Sequence, residues 1–159
     1  MWLITSSKCL RLLQHSLIAM LCGLAIAAII LVDQFAFVGQ TPLLVASMGA
    51  TAVIIFATPD SPLAKPWAVL AGQVLSTVLG GLAAHWIADL TVAASLVVSL
   101  SVLLMLCLHC MHPPGAATAL VPVLNGWTLP QTCLNLLLPV LLNVLILLLL
   151  AGLIRLLKN

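Results

Sequence analysis

The run His109-Cys110-Met111-His112-Pro113-Pro114-Gly115-Ala116-Ala117-Thr118 gathers polar, backbone-special and helix-forming residues inside an otherwise apolar chain. Two consecutive prolines force the residue before them out of the α region, and they open a helix without wasting N–H groups. The helix break leaves the N–H groups of Gly115 and Ala116 as free donors at the positive end of a helix dipole, with the Thr118 hydroxyl one turn on. His112, Pro113, Pro114, Gly115, Ala116 and Thr118 therefore form a candidate cradle for a small anion, against the simpler reading of a packing kink. His112 and His109 add ring nitrogens for donating to an anion, relaying a proton or satisfying a neighbouring helix. A second small-polar run, Ser47-Met48-Gly49-Ala50-Thr51, supplies Ser47, Gly49 and Thr51 as further candidates.

Other chemistries are poorly served. Cys107, His109, Cys110 and His112 are metal-ligand types, but their spacing does not put four ligands on one helical face, so no metal or cofactor is expected. The chain has no His-Glu-x-x-His pattern, no paired intramembrane aspartates and no phosphate-binding glycine loop, so no enzyme activity is expected.

The positioning elements follow from composition. With 64% hydrophobic and 5% charged residues and a mean hydropathy of +1.34, 159 residues cannot cover a soluble globule. The reading is an integral membrane protein, in a bacterial inner membrane. A net charge of +2 carried by few basic residues excludes nucleic acid as a partner. Five cysteines, an odd count in apolar surroundings, do not suggest a disulfide framework. Met1 to Asn159 reads as one domain.

In chain order, Leu12 to Val32 makes a full span ended by Asp33-Gln34. Thr41 caps a short segment from Pro42 to about Thr58. A proline-rich turn follows, in which Asp60 and Lys65 pair at the membrane edge or act as a gate. The third segment, Trp67 to Ala88, has the small residues Gly72, Ser76, Thr77, Gly80 and Gly81 of a helix contact and carries Gln73, whose amide needs a partner. Val92 to Cys110 spans again. Pro113 to Leu124 is a short or broken helix closed by Asn125-Gly126, and a run from Gln131 to Leu157 with Pro139 inside it completes the chain.

Six crossings put Lys8, Arg11, Lys65, Arg155 and Lys158 on one side and Asp33 and Asp89 on the other, with both termini cytoplasmic by the positive-inside rule. The fold class expected is all-α: a polytopic transmembrane bundle of six segments forming a 3+3 inverted repeat, about 12–88 and 92–157, with two short or broken helices. Gly49-Ala50-Thr51-Ala52-Val53 and Gly115-Ala116-Ala117-Thr118-Ala119-Leu120 occupy equivalent places in the halves, the arrangement that points to a midplane site.

Together with Ser61-Pro62-Leu63-Ala64-Lys65-Pro66, these two motifs resemble the HPP family of integral membrane proteins, and the resemblance covers Leu12 to Leu157. It implies nitrite transport, the activity established for chloroplast and cyanobacterial members. The family is often described with four transmembrane helices. Lys65 stands where glutamine is expected in the second motif, and Gln73 where histidine is often found. The reading is thus transport of a small inorganic anion, nitrite first, by a homo-oligomer, with a dimer expected because one chain has few helices to enclose a path. His109, Asp60, Lys65, Gln73 and Asn125 serve as gate or supporting residues. The alternatives are a passive anion channel or a non-transporting structural membrane subunit.

Overall fold

The computed structural model describes residues 2–36 and 42–158, with side chains described over 11–35 and 44–156. Among the described residues all regular structure is helical. The helices are α1 (Trp2–Ala36), α2 (Pro42–Ala57), α3 (Pro66–Trp86), α4 (Leu90–Cys107), α5 (Pro113–Asn125) and α6, a continuous helical stretch over 129–158. Four segments of the described residues are long and apolar enough to cross a membrane: Arg11–Phe35, Pro66–Trp86, Leu90–Cys107 and Leu129–Leu156. The two short helices, α2 with 16 residues and α5 with 13, lie between them. A count of long apolar segments thus gives four, and a count of helices six.

Local sequence explains the boundaries. Ser61 caps a 3-10 turn, Pro62–Ala64, its hydroxyl accepting from the Leu63 N–H, and Pro66 then starts α3. Asp89 caps α4 by accepting from Val92 N–H at 2.8 Å. Gly126, at φ +62°, ends α5 in the left-handed conformation that glycine adopts without a Cβ penalty. In α6 a π-helical turn, Cys133–Leu137, lies just ahead of Leu138-Pro139. Proline lacks the N–H that an α-helix needs there, and a wider turn accommodates the loss. Thr41, the expected cap of α2, lies outside the described residues, as do the side chains of Lys8 and Lys158.

The packing has the symmetry of two inverted halves. α2 and α5 cross antiparallel, since Ser47 meets Thr118 while Thr51, one turn later, meets His112 at the start of α5. α5 runs parallel to α3, with His112 against Gly72 and Ala119 against Gly80. α1 packs on α2 and α6, and α4 packs correspondingly on α5 and α3. Exchanging α1 with α4, α2 with α5 and α3 with α6 preserves every one of these pairings. The start of α1, the end of α2 and the end of α6 share one end of the bundle, where Arg155 donates to the Pro59 carbonyl at 3.1 Å. Arg11 and Lys65 sit at that end and Asp89 at the other.

Small residues make the contact closest at α3. Gly72, Ser76 and Gly80 recur every fourth residue on the face toward α5. A Cβ at Gly72 would come within 2.7 Å of His112 Cβ, and one at Gly80 within 2.8 Å of Pro122 Cγ. The helix-contact reading of this face therefore holds.

Asp33 departs from expectation. It does not end the first span: it lies inside α1, is 1% exposed, and accepts from Asn143 Nδ2 of α6 at 2.9 Å. A partner distant in sequence lets the helix continue through a residue that local reasoning takes for a terminator.

Candidate functional site

The two short helices and α3 meet at five polar side chains, Ser47, Thr51, Gln73, His112 and Thr118, none more than 1% exposed. Buried between helices, each donor and acceptor must find its partner within the protein, in the group or on the nearby backbone. Gln73 is the hub. Its Nε2 lies 3.3 Å from Ser47 Oγ and 3.0 Å from Thr51 Oγ1, and its Oε1 accepts from the Thr118 hydroxyl at 2.6 Å. Ser47 and Thr118 oxygens are 2.6 Å apart, and Thr51 Oγ1 is 3.0 Å from His112 Nε2. His112 Nδ1 is 3.1 Å from the Leu63 carbonyl.

Hydrogen counting gives these contacts a consistent arrangement. A carbonyl only accepts, so His112 carries its proton on Nδ1 and donates to Leu63. Neutral Nε2 is then an acceptor and takes the Thr51 hydroxyl hydrogen. Gln73 donates one amide hydrogen to Thr51 and the other to Ser47. Ser47 donates to Thr118, and Thr118 returns its hydrogen to Gln73 Oε1. The result is a closed ring of three side chains with a branch through Thr51 to His112, in which every member polarises the next. Ser47 Oγ also donates to the Pro114 carbonyl at 2.8 Å, so its one hydrogen is shared between that carbonyl and Thr118.

The motif thus positions His112 by geometry. His112 caps α5 in an extended conformation, φ −141° and ψ 91°, which turns its ring toward α2. His109, at φ +52°, takes the left-handed conformation that makes the reversal after α4. Trp67 Nε1 reaches the Leu108 carbonyl at 3.5 Å, tying this reversal to the start of α3.

Other candidate residues fall elsewhere. Gly115 is buried, but its N–H is taken by the His112 carbonyl at 2.9 Å, and the space beside its Cα is occupied by the Gly72 carbonyl and Ser76 Oγ. The free donor and open approach expected there are therefore filled by the first turn of α5 and by α3. Pro114 is buried and contributes its carbonyl, while Pro113 is exposed and Ala116 half-buried. A Cβ on Gly49 would meet nothing within 4 Å, so that residue faces away from the site. Asn125 bonds its own helix through the Val121 carbonyl at the far end of α5.

Asp60 and Lys65 are not brought together as an ion pair; the turn Pro62–Ala64 separates them. Asp60 lines a cavity of about 620 Å³ with His15 and Arg155, and Lys65 lines one of about 380 Å³ with His109, Met111 and Leu63. The second cavity lies directly over the motif, because Leu63 both lines it and accepts from His112. Among the described residues no three His, Cys, Asp or Glu side chains converge on a point where a metal could be held.

Sequence reasoning singled out all five network residues, but Gln73 only as a gate or supporting residue and not as the hub. Gln73 was legible as an amide needing a partner, yet only the antiparallel crossing of α2 and α5 shows that both short helices bond to it. Asn143 passed unnoticed in a leucine-rich run, although an amide in the middle of an apolar span is the same kind of signal.

The fold and site together define a helical integral membrane bundle organised around two short central helices. The chain belongs to the HPP family: the model of the HPP transmembrane region matches residues 7–159. Two Dictyostelium discoideum proteins described as transmembrane proteins are 43% identical over 90 residues and 37% identical over 91, covering 54% and 55% of this chain. The matched regions are 32% and 29% of those relatives, so the chain spans about a third of their length. No solved structure matches it.

Proposed function

We propose that this HPP protein transports a small inorganic anion, nitrite first, and that the network of Ser47, Thr51, Gln73, His112 and Thr118 is its binding site in a closed conformation. The observation that carries this reading is the burial of five polar side chains between the two short helices, where nonpolar residues would pack as well without polar partners. Three hydroxyls and a carboxamide N–H are suitable donors for a compact anion. Parting α2 from α5 would release Ser47, Thr51 and Thr118 from one another and turn those donors toward an ion. Lys65, in the cavity it shares with His109, supplies positive charge on the approach from one end. By the positive-inside rule that end is cytoplasmic, in a bacterial inner membrane.

A second reading, a non-transporting membrane subunit in which the network clamps three helices, is favoured by the tight seating of Gly115 on the Gly72 carbonyl. Flux separates the two. Purified protein in liposomes should carry nitrite saturably, faster than nitrate or chloride and above protein-free liposomes at the same pH. Equal flux with and without protein would leave the clamp.

A further inference from the structure

A second buried polar pair lies apart from the network, between α1 and α6. Asp33 and Asn143 are 1% and 0% exposed, and a single hydrogen bond joins them, Asn143 Nδ2 donating to Asp33 Oδ2. Asp33 Oδ1 and Asn143 Oδ1 are both buried without a partner. Both orphans are acceptors, so what the site lacks is a donor. Ile29, Leu44, Val140, Val144 and Leu147 belong to the apolar core in which the pair sits.

No described charge offsets the carboxylate. α2, which packs on α1, has no titratable residue. On α6, Cys133 is exposed, and Arg155 is twelve residues from Asn143, about 18 Å along the helix. On α1 itself, Arg11 and His15 are near the opposite end, and Cys22 is three turns away. On α3, which packs on α6, His85 and Lys65 are at the termini. A lone buried carboxylate with one N–H partner and no cation is an expensive arrangement, and membrane proteins keep such groups for function.

We infer that Asp33 and Asn143 form a proton-binding site. A proton on Asp33 Oδ1 provides the O–H that Asn143 Oδ1 lacks, and a carboxylic acid and a carboxamide then exchange two hydrogen bonds, N–H to O and O–H to O. A metal ion needs several oxygen ligands, and two orphan oxygens are too few. If the anion-transport reading holds, on which this second step rests, the proton bound here is the coupling ion that drives anion uptake, taken up on the side of higher proton activity and released on the other.

The test has a readout independent of transport. The chain has only three acidic side chains, and Asp60 and Asp89 are exposed. Infrared spectroscopy of the purified full chain in lipid should show a carboxylic C=O band that titrates separately from the two exposed carboxyls and is absent from D33N. D33N should also melt no lower than wild type, because its new carboxamide supplies the missing donor, whereas D33L strands Asn143 and should melt lower. In proteoliposomes with an acid exterior, the ratio of gradient-driven to downhill nitrite uptake should fall at least tenfold in D33N. Loss of the infrared difference, D33N melting like D33L, a sodium gradient replacing the proton gradient, or an unchanged uptake ratio would each overturn the proposal. A wild-type protein that shows the Asp33 band but moves no anion would support the proton site and refute the transport reading instead.

Discussion

The Thr51 hydroxyl stands 3.0 Å from His112 Nε2 and 2.9 Å from the carbonyl of Ser47, and it has one hydrogen to give. With His112 neutral the hydrogen goes to the ring. A proton added to Nε2 reverses that bond, and the hydroxyl then turns to Ser47 one turn back on its own helix. The crossing of the two short helices therefore holds a rotor with two satisfied settings, each matched to one charge state of the histidine.

Because Thr51 and His112 serve each other, their mutations should not add. His112→Ala leaves the Leu63 carbonyl and the Thr51 hydroxyl without this partner and should cost about 1–3 kcal/mol, while Thr51→Val should cost about 1–2 kcal/mol. The double variant should fall short of the sum by at least about 0.5 kcal/mol. Unfolding in detergent under matched conditions measures all four corners of the cycle, and strict additivity would remove the contact from the account.

Gly115→Val tests what the glycine is for. Its Cβ would meet the Gly72 carbonyl at 2.7 Å and Ser76 Oγ at 3.0 Å, and neither a backbone carbonyl nor a helix at this distance yields easily. The substitution should destabilise the bundle by about 1–3 kcal/mol or more, as overpacking does. Expression and thermal stability should drop together. A variant as stable as wild type but inactive would instead make the glycine part of an open path.

Much of this molecule was readable in its sequence because the bilayer enforces simple rules. Spans had to be long and apolar, and polar residues such as Gln73 and Thr118 had to find partners. The prolines at 113 and 114 marked the start of α5 for a purely local reason. What stayed hidden depended on distance: Asp33 meets a residue 110 positions away, and Gly115 is filled by a carbonyl on another helix. Free N–H groups at a helix start are also a local inference, and the first turn of α5 had already used that of Gly115. Burial and tertiary contact decided these positions, and neither is visible in residue types.

Sidedness gives a third prediction. A single cysteine at 65, in a chain whose native cysteines are replaced, should react with an impermeant maleimide from one side and a cysteine at 89 from the other. Asp33 is 1% exposed, so cysteine 33 should be protected while cysteine 34 on the exposed face of the same helix turn reacts more readily. Labelling of 65 and 89 from the same side would contradict a crossing of the membrane by α3.

The central claim is that the buried network receives the anion, and Thr118→Val tests it most directly. Valine keeps the shape of threonine and removes the hydroxyl that closes the ring between Ser47 and Gln73. Losing one such donor corresponds to about 1.4 kcal/mol, or about tenfold. Initial rates of nitrite uptake should be measured in proteoliposomes holding equal amounts of folded wild type and variant, with protein-free liposomes subtracted. The account predicts a saturable wild-type flux and at least a tenfold lower rate, at subsaturating nitrite, for Thr118→Val. An equal nitrite flux through both proteins would contradict it.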